Sequence, residues 1–274
     1  MTPSPTARPK SRTVLARELI RGRILRLEMP PGTVFNEGDL AAALDLGKTP
    51  VREALNLLTH ESLVAVAPHS GYLVMPVTLR DIREVVELRL SVEPLPARLA
   101  ALGWRGAADA RGLDAAAAAW WRAVGEPGAG VPPAAIVRLG WGAVLAERAG
   151  NSRAAEVEEY VLRHQLRHLR LAAALGRPCR PVADPGALPA ALAAADPEAA
   201  ATAVEADIRA LGAALSAALT PAARAYLGRP DTAGRPADLP IENELLDLDL
   251  GRLHPRPGNG RPGGAALALG AMGR

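Results

Sequence analysis

Cysteine occurs once in 274 residues, Phe once, Tyr three times and Trp four times. A lone thiol, Cys179, cannot close an internal disulfide, and there is no cysteine cluster to hold structural zinc. A reducing compartment is the expectation. With aromatics at 3 % and apolar residues at 49 %, the core has to be assembled from Ala, Leu and Val. That composition favours helices, because Ala and Leu head the helix scale. No uninterrupted apolar run reaches the roughly 20 residues that span a bilayer. The opening "MTPSPTARPKSR" is polar and proline-broken, with no apolar core of a secretory signal. The chain is therefore expected to be cytoplasmic and independent of membranes. A Gly-rich phosphate loop, a nucleophile elbow and a His-based triad are also missing, and Cys179 stands in "GRPCRP" with no His nearby. An enzyme is not expected. The net charge is only +3, so any nucleic-acid binding must come from locally clustered cations.

Several ordered segments are present. Residues 1–12 read as a disordered basic arm with Arg8, Lys10 and Arg12 and no acids. From 13 to 27, Ala16, Ile20, Ile24 and Leu27 recur at helical spacing until "MPPG" breaks the pattern. Asn36 is an N-cap candidate with Asp39 three residues on, and Leu40, Ala43 and Leu44 make the apolar stripe behind it. After the short "DLG" turn, Thr49 is expected as a second N-cap with Pro50 at the first helical position. Val51, Ala54, Leu55 and Leu58 then face inward, leaving Arg52, Asn56 and Thr59 outside. "LVAVA" and "YLVM" read as strands around a four-residue turn, "PHSG". From Thr78, which pairs with Asp81 as a cap, the pattern is helical: one long stretch to about 102, then near 107–124, 132–149, 152–176, 184–195 and 197–217. Asp196 is the expected cap of the last. Past about 227 the chain is too rich in Gly and Pro to pack, and residues 227–274 are expected to be a disordered tail, with "IENELLDLDL" as a possible short helix. The expected fold is mostly α, with an all-helical bundle after an N-terminal winged helix-turn-helix.

Helix, capped helix, short turn, capped helix and hairpin is the order of that winged motif, whose second capped helix enters the major groove with its N-terminal residues on base edges. Lys48 and Arg52 stand where cations reach guanine O6 and N7, and Thr49 with the helix N-terminus can hold a phosphate. Asn56 is on the same outer face. His69, Ser70 and Gly71, at the hairpin tip, would lean on the DNA backbone or minor groove. The stretch "PPGTVFNEGDLAAALDLGKTPVREALNLLTHESLVAVAPHSGYLV" resembles the DNA-binding domain of the GntR family of bacterial transcription regulators, with "TPVREAL" and "GYLV" its most diagnostic pieces. The resemblance implies a homodimer on palindromic double-stranded DNA, with Lys48, Thr49 and Arg52 at the DNA-contacting positions and Gly71 as the wing glycine. Where the family usually has Arg, Ser and Arg, this chain has Gly38, Gly47 and Lys48. Lysine lacks the bidentate fork of arginine, so a different operator or weaker binding is expected. The DNA-binding domain is placed at 13–77.

"TLRDIREVVELRLSVEPLPARLAA" resembles the opening of the helical effector domain of the FadR subgroup, the FCD domain, here placed at 78–226. The resemblance implies a bundle around a pocket where Asp and three His hold a metal that draws in a small carboxylate. Arg89 matches an Arg of that pocket, with a structural pair to Glu93 as the other reading. Through "WGAVLAERAGN", the metal-ligand positions fall on Arg138, Gly142, Pro185 and Asp207. None of the three His survives, so no metal and no cofactor are expected, and one carboxylate does not make a site. The expectation is a small-molecule effector, an organic acid or another polar metabolite, held by Arg89, Arg138 and Asp207, with Arg138 neutralised by Asp207. A solvent-facing Arg138 is the alternative. A ligand-free domain serving only as an interface is the other reading of the domain. His164 and His168, one turn apart in "VLRHQLRHLRL", are expected on a basic, solvated or dimer-facing helix.

Overall fold

The computed structural model describes residues 11–67, 70–104, 112–119, 133–179 and 183–227. The N-terminal arm up to residue 10, His69 at the hairpin tip, Pro68 and the tail past 227 lie outside the described residues. The chain divides into two compact units, one essentially ending at Met75 and one beginning at Pro76.

In the first unit, α1 (Arg12–Leu25) is followed by a short strand β1 (Val34–Phe35), α2 (Glu37–Ala43), α3 (Lys48–His60), β2 (Val64–Ala67) and β3 (Gly71–Val74). Asn36 caps α2 as expected, its side-chain oxygen accepting from Asp39 N at 2.7 Å. The tight turn between α2 and α3 is a left-handed helix ending. Asp45 has φ +52°, and Leu46 N donates to Ala41 O while Asp45 N donates to Ala42 O, which satisfies the last carbonyls of α2. Ile20, Ile24, Leu40, Val51, Leu55, Leu58, Leu63 and Val74 form one dry core. Each such side chain contributes about 1.5–3 kcal/mol on burial. Arg17 and Arg21 both reach Glu61, each pair at 2.6 Å, and tie α1 to the residue that ends α3.

Three expectations are corrected here. Thr49 is not the N-cap of α3: the helix already includes Lys48, with Gly47 in the cap position and no side chain capping it. Gly47 precedes Pro50, whose ring is 3.6 Å from where a Gly47 Cβ would stand. The hairpin turn is shorter than four residues, because Gly71 already pairs with Ala67 in an antiparallel ladder and Ser70 N donates to Ala67 O. Finally, the sheet has a third strand. β1 pairs with β3, Val34 opposite Leu73 and Phe35 opposite Tyr72, giving the order β1-β3-β2. Two residues are too few to show an alternating pattern in sequence.

The second unit is helical. The expected single helix from 78 to 102 is two, α4 (Leu79–Val92) and α5 (Pro94–Leu102), because Pro94 and Pro96 cannot continue α4 and instead open α5. Thr78 caps α4, accepting from Asp81 N at 2.9 Å. A helical stretch at 112–119 (α6), α7 (Pro133–Arg148), α8 (Ser152–Ala174), α9 (Ala187–Ala193) and α10 (Pro197–Leu227) complete it. Asp196 caps α10 by accepting from Glu198 N and Ala199 N. That helix runs about ten residues past the expected end. α10 lies along α4, α5 and α9, and α8 against α4 and α7. Trp104, Trp141, Leu145, Leu188, Leu192 and Ile208 pack in the core between them.

The polar face of α8 is also corrected. His164, Arg167, His168 and Arg170 are buried rather than solvated. His168 Nε2 is 2.7 Å from Asp81 Oδ2, and Arg167 donates to Pro76 O at 3.0 Å. Burial works against the Asp81 carboxylate, but the His168 hydrogen bond and the charges of His168 and Arg167 overcome it and bring its pKa down to about 2. Among the described residues no group of three or more His, Cys, Asp or Glu is placed to hold a metal ion, and no helix is long and apolar enough to cross a membrane. Cys179 is buried, which pushes its thiol up to about 11.

Candidate DNA-contacting face and effector cavity

The inner face of α3 is committed to the core, so what it can present is set by the remaining positions. Lys48, Thr49, Arg52 and Asn56 are all exposed. Arg52 is held rather than loose: its Nε and Nη2 donate to Glu37 at 2.9 and 3.0 Å, across from the start of α2. That hydrogen bond, followed by the charge of Glu37, raises the Arg52 pKa further. Lys48 bends over Gly38, whose missing side chain leaves Cε 3.6 Å and Nζ 3.8 Å from an added Cβ. Two of the three departures from the family pattern, Gly38 and Lys48, are thus spatial neighbours. With no side-chain cap at Gly47, the first amide groups of α3 remain available, and helix N-termini attract phosphate.

Ser70 is exposed at the hairpin tip, and Gly71 has φ +101°. A Cβ on Gly71 would come 2.5 Å from Phe35 O, so strand β1, unread in the sequence, is what makes glycine obligatory there. Gly71→Ala combines a strained backbone with a clash against a carbonyl and is expected to cost about 2 kcal/mol or more. Thermal unfolding of the variant checks this, and parent-like stability would refute it.

The second unit holds a small pocket open to solvent whose lining includes Arg89, Glu93, Arg138, Gly142 and Asp207. Three expected residues therefore meet there, with Gly142 at one metal-ligand position of the resemblance. Pro185, the remaining one, is not part of the lining. Arg138 pairs with Asp207 through Nη1 and stacks its guanidinium 5.7 Å from the Trp141 ring centroid. Burial raises the Asp207 pKa from its ordinary value, with Arg138 opposing. Arg89 is buried, pairs with Glu93 and donates to Gln165 Oε1 at 3.2 Å. Arg89 is thus a structural pair that also lies on the pocket wall.

Sequence reasoning missed Glu158. It is 1 % exposed, and a Cβ on Gly142 would overlap its Oε1 while standing 3.4 Å from Glu93 Oε2. Burial, then the charge of Glu93, raises the Glu158 pKa well above 4.5, with Arg89 opposing. A buried acid on a helix of Arg and His gives no signal in one dimension, and only the packing of α8 on α7 brings it behind Gly142.

The first unit has the architecture of a winged helix-turn-helix DNA-binding domain. Residues 13–74 match the family of bacterial regulatory proteins, gntR family, so the chain carries a GntR-type DNA-binding domain. Regulators of that family are transcription factors, not enzymes. A transcriptional regulator in an unstable DNA locus of Streptomyces ambofaciens is 43 % identical over 86 residues, 29 % of this chain and 36 % of that protein. The Nta operon transcriptional regulator of Aminobacter aminovorans is 37 % identical over 70 residues, 26 % of this chain and 33 % of that protein. The chain thus spans about a third of the length of these curated relatives. Over a longer span the fold resembles a GntR transcriptional regulator of Rhodococcus sp. RHA1, with TM-score 0.57, 24 % identity, and coverage of 75 % of this chain and 98 % of that one. It also resembles McbR/YncC of E. coli, with TM-score 0.52, 20 % identity, and coverage of 75 % and 97 %.

Proposed function

We propose that this chain is a homodimeric transcriptional regulator of the FadR subgroup that reads a palindromic operator and answers to a small metabolite without using a metal. The observation that carries DNA reading is the outer face of α3, with Lys48, Thr49, Arg52 and Asn56 exposed and Arg52 already held by Glu37. His69, Ser70 and Gly71 are the proposed wing contacts. Two recognition helices related by a two-fold axis select half-sites about one helical turn apart. On α5, Leu95, Leu99 and Leu102 are exposed at one-face spacing, which supports association of two copies through the second unit. Selection from random-sequence DNA, with light scattering of the free protein, tests the reading. An inverted repeat and a dimer mass are expected, and monomeric protein that enriches no sequence would refute it.

Arg89, Arg138 and Asp207 are the proposed effector residues of an FCD-type domain. What supports a metal-free mode is that a guanidinium, already neutralised by Asp207, occupies the position the resemblance assigns to the first ligand. Guanidinium groups bind carboxylates directly, often through two parallel hydrogen bonds. Purified protein, freed of any affinity tag, is expected to contain no stoichiometric zinc, nickel or manganese. EDTA is expected to leave its melting temperature and operator affinity unchanged. One tightly held metal ion per subunit would overturn the metal-free mode. A ligand-free second unit acting only as an interface is the competing reading, and a ligand-dependent change in operator affinity separates the two.

A further inference from the structure

The polar inventory of the cavity says what kind of metabolite fits. Arg89 is satisfied by Glu93 and Gln165. Arg138 is satisfied on one side only: Nη1 faces Asp207, while Nη2 is buried with no hydrogen-bond partner among the described residues. Both oxygens of Glu158 are likewise buried without a hydrogen-bond partner among the described residues. Buried polar groups left unmatched are costly and uncommon. Arg138 lies one helical turn before Gly142 on α7, and the lack of a side chain at Gly142 lets Glu158 Oε1 come up behind the cavity wall. The rest of the lining is aliphatic and aromatic: Leu139, Trp141, Leu145, Leu188, Val204 and Ile208.

On the lining, two guanidinium groups accompany two carboxylates, Glu93 and Asp207, and Glu158 is an extra buried acid directly behind Gly142. A dianion would bring two negative charges to a site whose cations are already paired. A simple amine would leave Arg138 Nη2 unmatched, and a simple acid would leave Glu158 unmatched. On the reading that this unit senses a metabolite, on which this inference rests, we infer that the effector is zwitterionic: an α-amino acid with an apolar side chain. Its carboxylate accepts from Arg138 Nη2, its ammonium donates to Glu158 across Gly142, and its side chain lies against the aliphatic lining. Burial, then the charge of Glu93, raises the Glu158 pKa, with Arg89 opposing, and an ammonium beside it favours the ionised carboxylate. Any proton the carboxyl gives up goes to solvent, and no other bond is made or broken.

The test uses the full chain and four probes, valine, leucine, isoleucine and methionine, each beside its deaminated acid and its decarboxylated amine. At least one amino acid is expected to raise the melting temperature by about 4 °C or more at saturation, while its two counterparts do not. Calorimetry in buffers of different ionisation enthalpy is expected to show net proton release on binding. Glu158→Gln, which keeps shape and removes the charge, is expected to weaken binding about tenfold or more, as is Arg138→Gln. If either variant fails to fold, comparison of the amino acid with its fragments on the parent chain decides alone. Equal binding of the acid fragment or of the amine fragment would overturn the inference. So would no response to any probe. Protein that enriches an operator yet ignores all probes loses this inference and keeps the DNA-binding reading.

Discussion

Arg52→Ala is expected to weaken binding to the selected operator by about tenfold to a hundredfold and to relax selection at one base pair in each half-site. Arg52 projects from the second turn of α3, beyond the buried stripe of Val51, Ala54 and Leu55, so its loss leaves the core intact. Glu37 holds the guanidinium in place through two hydrogen bonds, which lowers the entropy lost when it docks on a base edge. Glu37→Gln has the opposite electrostatic effect, since it removes a negative charge near phosphate. Its non-specific affinity should rise, and the ratio of operator to scrambled affinity should fall. Gel shifts on operator and scrambled DNA measure both. Arg52→Ala bound to both DNAs as tightly as the parent would show that α3 does not read bases.

The second large effect is expected at Arg89→Met. Arg89 is the cation between Glu93 and Glu158, and all three are at most 4 % exposed. Burial alone lowers the Arg89 pKa, but the charge and hydrogen bonds of Glu93, with the charge of Glu158, more than reverse this. Removing one partner of a buried pair strands the other, at a typical cost of about 3–5 kcal/mol. Against a total stability of about 5–15 kcal/mol, that is a large fraction.

The sign of the pH dependence follows from Glu158. Its folded pKa lies above 4.5, so its contribution is fullest below the ordinary carboxylate range. It is lost as pH rises toward the folded pKa, because the folded state keeps a proton that the unfolded chain releases. Arg89 is the group that opposes this upward shift, so Arg89→Met extends the loss to higher pH. Urea unfolding should show a larger deficit at about pH 8 than at about pH 5. A variant as stable as the parent at both pH values would mean that the three groups are not coupled. Asp81 acts in the other direction. Its pKa of about 2 stabilises the fold above the ordinary carboxylate range and is lost in acid.

The features readable in one dimension are those whose cause is local. Asn36, Thr78 and Asp196 act as caps because the amide they accept from lies two or three residues on. The inner stripe of α3 follows from helical period, and its outer residues follow from that stripe. Thr49 failed as a cap because Gly47 takes the position instead, one residue before Lys48 enters the helix. Burial of Arg138 against Asp207 was one of two open readings, since a helix rotation by a fraction of a turn changes the answer. Only the tertiary arrangement that brings Asp207 of α10 within side-chain reach of Arg138 decides it. His164, Arg167, His168 and Arg170 of α8 look like a solvated face in sequence. They are buried because carbonyl and carboxylate partners arrive from Pro76 and Asp81, more than 80 positions away in the chain. Glu158 is the extreme case. Nothing adjacent to it in sequence distinguishes it from Glu156 or Glu159, and its place behind Gly142 exists only because α8 lies on α7 with no side chain between them.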